Sequence, residues 1–93
     1  MLKHNSYFEG KVQSVGFERN GRKHTVGAIE AGEFHFNTEG AERMTVVSGA
    51  LDVRVTGSKE WRTYAAGVAF EVAARSGFDV RAEQPVAYWC EFL

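Results

Sequence analysis

Residues 35–49 read HFNTEGAERMTVVSG, and the spacing of their polar side chains bears more directly on the fold than any other feature of the sequence. His35 and Asn37 lie two residues apart, Glu42 follows after four intervening residues, and Gly49 follows Glu42 after six. Two histidines and a glutamate at this spacing could hold a divalent ion through nitrogen and oxygen ligands. Here an amide, which is a poor ligand, occupies the second position. The sequence therefore predicts no metal site.

The sequence around this stretch alternates between apolar and polar residues with a period of two, which is typical of strands with one buried face. The pattern is clearest in ALDVRV (50–55), GFDVRAE (77–83) and VAYWCEF (86–92). Ten glycines fall at intervals typical of turns, and no window has a helical period. We therefore predict roughly eight strands in an antiparallel sandwich or small barrel. Ser-Gly in VVSGAL (46–51) predicts a tight hairpin.

The composition indicates a small soluble domain. A chain of 93 residues with 44% hydrophobic residues is expected to form one domain, residues 1–93. A net charge of −1 gives no indication of a surface that binds nucleic acid or a membrane. The single cysteine, Cys90, excludes an intramolecular disulfide and favours the reducing cytoplasm. We find neither a signal-peptide pattern nor an apolar run of membrane-spanning length.

Two segments carry a resemblance to the cupin superfamily. The opening stretch follows the first cupin motif, a His-x-His pair followed by glutamate and glycine, with Asn37 in place of the second histidine. Residues 67–78, GVAFEVAARSGF, occupy the place of the second motif. There Ala73 replaces a proline and Phe78 replaces the last histidine. Half of the four metal-ligand positions of the superfamily are thus lost.

A closer resemblance extends along nearly the whole chain. YFEGKVQSVGF, GRKHTVG, ERMTVVSGALDV, YAAGVAFEVAARSGFDV and YWCEFL, in this order, are similar to the small pyrimidine/purine nucleoside phosphorylases. This resemblance implies an all-β, single-domain cupin, a jelly-roll-like antiparallel β-barrel. It also implies broad phosphorolysis of purine and pyrimidine nucleosides without a metal or other cofactor, inorganic phosphate being a co-substrate, in a homodimer. Ala73 and Arg75 depart from the family's more frequent Pro-Gly-His.

Phosphorolysis at the anomeric carbon passes through an oxocarbenium-like state, so the site needs cations for phosphate and acceptors for the ribose hydroxyls. Arg22, in a glycine-containing turn, and Lys11 are our phosphate-binding candidates, since a guanidinium matches phosphate geometry well. Arg43 ranks behind them because it is predicted to face away from Glu42. Glu42 is the predicted catalytic carboxylate, which would accept from ribose hydroxyls and stabilise developing positive charge.

The remaining candidates follow from the predicted strand faces. His35 is a second catalytic candidate, as proton donor or hydrogen-bond partner, and Glu33 is a weaker substitute for Glu42. Because an aromatic ring can stack on any base, we expect stacking to hold the base of the nucleoside. The predicted substrate-binding residues are Tyr88, Phe78, Tyr7 and Asn37.

Residues 34–37 also give a prediction about assembly. If His35 and Asn37 line the cavity, Phe34 and Phe36 point outward, and two exposed phenylalanines on a small domain need cover. A symmetric homodimer that buries them would provide it.

Two other functions fit the same residues. A non-catalytic cupin that binds a small molecule is equally compatible with the lost ligands. A metal-dependent cupin enzyme would use His35 and Glu42 as ligands and would contain stoichiometric metal.

Overall fold

A computed structural model describes all residues from 1 to 93, and almost the whole chain folds into short strands. The ten strands are β1 (Lys3–Tyr7), β2 (Val12–Arg19), β3 (Arg22–Ile29), β4 (Gly32–Asn37), β5 (Glu42–Ser48), β6 (Ala50–Val55), β7 (Arg62–Ala65), β8 (Ala69–Val72), β9 (Gly77–Ala82) and β10 (Val86–Phe92). A short 3₁₀ segment, Phe8–Gly10, connects β1 to β2. No helix is long and apolar enough to cross a membrane.

The strands form two antiparallel sheets. The larger sheet has six strands in the order β1-β2-β3-β10-β5-β8, and the smaller has four in the order β4-β9-β6-β7. The all-β prediction is thereby confirmed, and two sheets packed on a shared core are consistent with a cupin-like jelly roll.

One hydrophobic core lies between the sheets and takes side chains from both. It contains 14 buried residues, among them Leu51 and Val53 of the smaller sheet and Val86, Tyr88 and Cys90 of the larger. These are the inward positions predicted from the period-two pattern of 50–55 and 86–92. Full burial of each aliphatic side chain stabilises the fold by about 1.5–3 kcal/mol. This gain strongly favours the arrangement in which the apolar residues of these strands face inward.

The hairpin predicted at Ser48-Gly49 is wrong. β5 pairs with β10 and β8, whereas β6 pairs with β9 and β7, so the chain crosses from one sheet to the other at Gly49. Gly49 has φ of +91°, and a Cβ there would lie 3.3 Å from the Pro85 carbonyl oxygen. Ser48-Gly49 does mark the connection between two strands, but the sequence does not say whether the second strand joins the same sheet.

The predicted faces of β4 are also reversed. Phe34 is buried at 8% exposure, and Phe36 packs on Phe78 with ring centroids 5.4 Å apart. His35 and Asn37 consequently project from the outer side of the strand. Burying two phenylalanines removes far more apolar surface from water than burying an imidazole and an amide. The homodimer face built on Phe34 and Phe36 therefore does not exist.

The 3₁₀ segment covers one end of the core. Phe8 lies 5.1 Å from the Phe34 ring and 5.8 Å from the Phe36 ring, measured between centroids. Phe8 and Glu9 both have positive φ, 51° and 57°, which is a strained conformation for residues other than glycine. The aromatic contacts hold the segment in place beside the opening of the cavity described next.

Candidate active site

A cavity of about 650 Å³ opens at one end of the two sheets, within the size range of small-molecule sites. Its buried lining consists of Ser14, Thr25, Met44, Phe78, Tyr88 and Cys90. Its exposed rim consists of Tyr7, Phe8, Lys23, His35, Asn37, Glu39 and Gly40. Phe36, Glu42 and Phe92 line it at intermediate depth. Six of the eight predicted site residues thus border one cavity.

Glu42 is the carboxylate that reaches the interior. It pairs with Phe92 across β5 and β10, and the Cys90 thiol donates to Glu42 Oε1 at a sulfur–oxygen distance of 3.1 Å. Burial raises the pKa of the Glu42 carboxyl, while the thiol and the charge of Lys23 lower it. Burial and the neighbouring carboxylate raise the pKa of Cys90, so its sulfur stays a thiol. Glu42 is thus a half-buried acid that accepts a hydrogen bond from the Cys90 thiol.

Lys23 supplies a cation at this cavity and is not among the residues predicted from the sequence. Its Nζ lies 4.7 Å from the centroid of the Phe92 ring, and its charge acts on Glu42. Inward positions of β3 run from Ile29 through Gly27 and Thr25 to Lys23. Val26 and Ile29 are both apolar but lie on opposite faces of the strand. Hydrophobicity alone therefore does not decide which face of β3 is buried.

The two phosphate candidates from the sequence do not line this cavity. Arg22 borders a separate cleft of about 450 Å³, shared with Arg19 and Trp89 on the outer face of the larger sheet. Lys11 is exposed directly after the 3₁₀ segment. Arg43 faces outward, as predicted, with Nη2 at 3.0 Å from the Glu71 carboxylate.

Tyr88 is seated against a glycine of the neighbouring strand. A Cβ on Gly27 would lie 2.9 Å from the Tyr88 hydroxyl and 2.4 Å from the Gln13 carbonyl oxygen. Burial raises the pKa of Tyr88 to about 12, whereas the hydrogen bond with the Ser14 side chain lowers it. The hydroxyl therefore stays protonated and can donate or accept inside the cavity.

Gly27→Ala is expected to destabilise the protein by about 1–3 kcal/mol, because the added methyl group overpacks a backbone contact and displaces Tyr88. Gly40→Ala is the matched control, since a Cβ there meets nothing within 4 Å. Urea unfolding of both variants checks this. Equal stability of Gly27→Ala and the parent protein would show that the space beside Tyr88 is not needed.

His35 belongs to a polar network on the outer face of the smaller sheet. Its Nδ1 lies 2.8 Å from Asp79 Oδ1, its Nε2 lies 2.9 Å from Asn37 Oδ1, and Arg54 Nη2 lies 3.0 Å from Asp79 Oδ2. The hydrogen bonds to Asp79 and Asn37 raise the pKa of His35. The same His35 contact and Arg54 lower the pKa of Asp79. His35 and Asn37 thus reach the cavity only at its rim.

This network predicts a pH dependence of stability on both sides. The raised pKa of His35 adds stability that is complete below its unfolded value and is lost as the pH rises through its folded pKa. The lowered pKa of Asp79 adds stability that is lost as the pH falls through its folded pKa. Asp79→Asn should flatten both limbs of the melting-temperature profile. An unchanged profile would mean that solvent screens these contacts completely.

The turn at residues 73–75 closes against the rim. The Thr38 hydroxyl donates to the Ala73 carbonyl oxygen at 2.7 Å, and the Arg75 amide donates to the Glu39 carbonyl oxygen at 3.1 Å. Arg75 has φ of 54°. Ala73 and Arg75 thus support the backbone next to the cavity mouth.

No three His, Cys, Asp or Glu side chains are grouped so that they could hold a metal ion. Both ring nitrogens of His35 already have partners in Asp79 and Asn37. This arrangement does not fit the use of His35 and Glu42 as a ligand pair.

Comparisons with known proteins agree over the whole chain. The family model described as pyrimidine/purine nucleoside phosphorylase matches residues 2–92. The protein of that name from Sorangium cellulosum is 70% identical over 93 residues, covering 100% of both chains. The one from Aeromonas salmonicida is 54% identical, covering 100% of this chain and 99% of its own.

A crystal structure of a Vibrio parahaemolyticus protein of unknown function is similar throughout. It is 44% identical, with a TM-score of 0.97 over 100% of this chain and 99% of the other. The family model and the named relatives show that this chain belongs to the pyrimidine/purine nucleoside phosphorylase family.

Proposed function

We propose that the protein is a nucleoside phosphorylase, a pentosyltransferase acting broadly on purine and pyrimidine nucleosides. Phosphate oxygen forms a bond to C1′ while the C1′–N bond breaks. The base leaves with the bonding electron pair and takes up a proton, and the second product is ribose or deoxyribose 1-phosphate. The family membership supports this activity.

The cavity itself carries the proposal, because it combines a half-buried carboxylate, an ammonium group and aromatic walls in one space. Such a set matches the three parts of the reactants, which are sugar, phosphate and base. Charges that develop in a partly buried site are stabilised more strongly than in bulk water.

Glu42 and Lys23 are the two charged groups of this proposal, Glu42 for the sugar and Lys23 for the phosphate. Ionised Glu42 accepts from ribose hydroxyls and stabilises positive charge that develops at C1′. Lys23 attracts phosphate and, through its own charge, favours the ionised form of Glu42. This assignment replaces Arg22 and Lys11, which lie elsewhere.

The uncharged side chains bind the rest of the substrate. Exposed Tyr7 offers an aromatic surface to the base, and stacking of this kind tolerates both purines and pyrimidines. Buried Phe78 forms part of the apolar cavity wall. Tyr88 offers its protonated hydroxyl. His35 and Asn37 lie nearest the rim, where His35 would act as proton or hydrogen-bond donor by exchanging its hydrogen bond with Asn37 for one to the substrate.

We further propose that phosphate is the only co-substrate and that no metal or other cofactor is needed. The reduced, buried Cys90 suits the cytoplasm as the working compartment. A homodimer is the proposed assembly, because a chain of 93 residues gains stability by burying further surface.

The experiment is to incubate the protein with uridine, adenosine, thymidine or guanosine, with and without phosphate, and to separate the bases by chromatography. Phosphate-dependent release of base is expected from several of them. Thermal stabilisation by nucleosides without any release would favour a non-catalytic binding protein instead.

A further inference from the structure

Cys90 is the only cysteine of the chain, and its side chain lies where the core meets the cavity. It is 2% exposed. Burial and the Glu42 carboxylate raise the pKa of the thiol and outweigh the Thr25 hydroxyl, which lowers it. The sulfur therefore keeps its proton, and Cys90 can act as a hydrogen-bond donor but not as a thiolate nucleophile.

The Cys90 thiol is the only side chain that hydrogen-bonds the Glu42 carboxylate. The sulfur lies 3.1 Å from Glu42 Oε1, and no ion pair of the chain includes Glu42. The second oxygen, Oε2, has no hydrogen bond within the chain. Because no buried side-chain oxygen lacks a partner, Oε2 must be accessible from the cavity that Glu42 lines.

The strand register brings the thiol and the carboxylate together. Across β5 and β10, Met44 pairs with Cys90 and Glu42 pairs with Phe92. Glu42 and Cys90 are therefore diagonal neighbours on the inward face, within reach of a long side chain. On the other side of Glu42, β8 offers only the apolar Val72. The carboxylate consequently has its protein partner on the β10 side alone.

We propose that Cys90 is a positioning residue for phosphorolysis, whose thiol holds Glu42 Oε1 and thereby directs Oε2 towards the sugar. This inference rests on the nucleoside phosphorylase activity proposed above. An unattached glutamate side chain samples several rotamers, and ordering it costs free energy. A hydrogen bond that orders it before the substrate binds removes this cost from the reaction. Oε2 is then the oxygen that accepts from the ribose hydroxyls and faces the charge at C1′.

A thiol suits this position because it is a weak donor. It holds the carboxylate while withdrawing little of the negative charge that stabilises an oxocarbenium-like state. A hydroxyl in its place would keep the carboxylate ordered but would withdraw more charge. The other titratable groups near Glu42 are Lys23 and Tyr88, and neither hydrogen-bonds its carboxylate.

The kinetic test compares Cys90→Ala, which removes the donor, with Cys90→Ser, which keeps one. Cys90→Ala is expected to lower kcat about 3–10-fold, the usual effect of losing one neutral hydrogen bond. The KM for uridine should change by less than about twofold, because the contact acts on the transition state. Cys90→Ser should recover most of the lost kcat. Val80→Ala is the control for core truncation, since Val80 is fully buried but does not line the cavity, and it should keep the parental kcat.

A spectroscopic measurement tests the same contact without substrate. Because the chain has one cysteine, the S–H stretching band in its Raman spectrum reports Cys90 alone. The band is expected at a reduced frequency while Glu42 is ionised. It should rise as the pH falls through the folded-state pKa of Glu42, which burial raises. In Glu42→Gln the band should no longer depend on pH.

The results that contradict the proposal differ in what they overturn. An active parent protein whose Cys90→Ala variant keeps the parental kcat, or whose alanine and serine variants lose it equally, overturns the positioning role alone. A parental S–H band that does not move with pH overturns the contact on which the role depends. A parent protein that releases no base from any nucleoside overturns the proposed activity, and the role of Cys90 with it, even where the band shifts.

Discussion

Glu42→Gln is expected to lower kcat/KM for nucleoside phosphorolysis by about 10²–10³-fold while the protein stays folded. Glutamine keeps the size of the side chain and can still accept from the Cys90 thiol. It cannot stabilise positive charge at C1′, and loss of one well-placed electrostatic group typically costs this much. Initial rates with uridine and saturating phosphate measure the effect.

Glu33→Gln is the control, because Glu33 is an exposed carboxylate on β4 that does not line the cavity. Its rate should equal that of the parent protein. If Glu42→Gln retains parental activity, Glu42 is not the catalytic carboxylate.

The same substitution is expected to stabilise the protein at neutral pH. Because burial raises the folded-state pKa of Glu42, its ionisation opposes folding once the pH exceeds the unfolded-state value. The amide removes this cost, so Glu42→Gln should have a higher melting temperature than the parent protein at pH 7. The difference should vanish near pH 4. Lost activity together with higher stability is the mark of a charge retained for function.

Lys23→Met is expected to raise the KM for phosphate by about 10–100-fold, with a smaller effect on the KM for nucleoside. Methionine retains an apolar stem against Phe92 but lacks the ammonium group. Hydrogen bonds to charged groups contribute about 1.5–3 kcal/mol, which corresponds to this range. Rates measured over a series of phosphate concentrations determine the value.

Arg22→Met and Lys11→Met are the controls, since neither residue lines the cavity. Both should keep the parental KM for phosphate. An effect of Arg22→Met without an effect of Lys23→Met would move the phosphate site to the cleft on the outer face of the larger sheet.

The sequence predicted the fold better than it predicted the site. Alternation in 50–55, 77–83 and 86–92 correctly placed Leu51, Phe78 and Tyr88 inside, because these strands bury one face only and carry polar residues on the other. Glu42 was correctly placed at the cavity by its spacing from the histidine and asparagine.

The errors arose where both faces of a strand carry large side chains. In β4, phenylalanine alternates with His35 and Asn37, which resemble metal ligands in type and spacing. The two phenylalanines nevertheless face inward. In β3 both Val26 and Ile29 are apolar but have opposite parity, so Lys23 could not be assigned to the cavity. A shift of one residue reverses every side chain of a strand. Sheet membership, which misled the hairpin prediction at Gly49, depends on partners distant in sequence.

The location of the reaction is tested most directly by a crystal structure of the protein with ribose 1-phosphate bound. We expect the phosphoryl group beside Lys23 Nζ and the ribose hydroxyls within hydrogen-bonding distance of the Glu42 carboxylate, in the cavity between the sheets. Ribose 1-phosphate bound instead in the outer cleft, against Arg19 and Arg22, would contradict it.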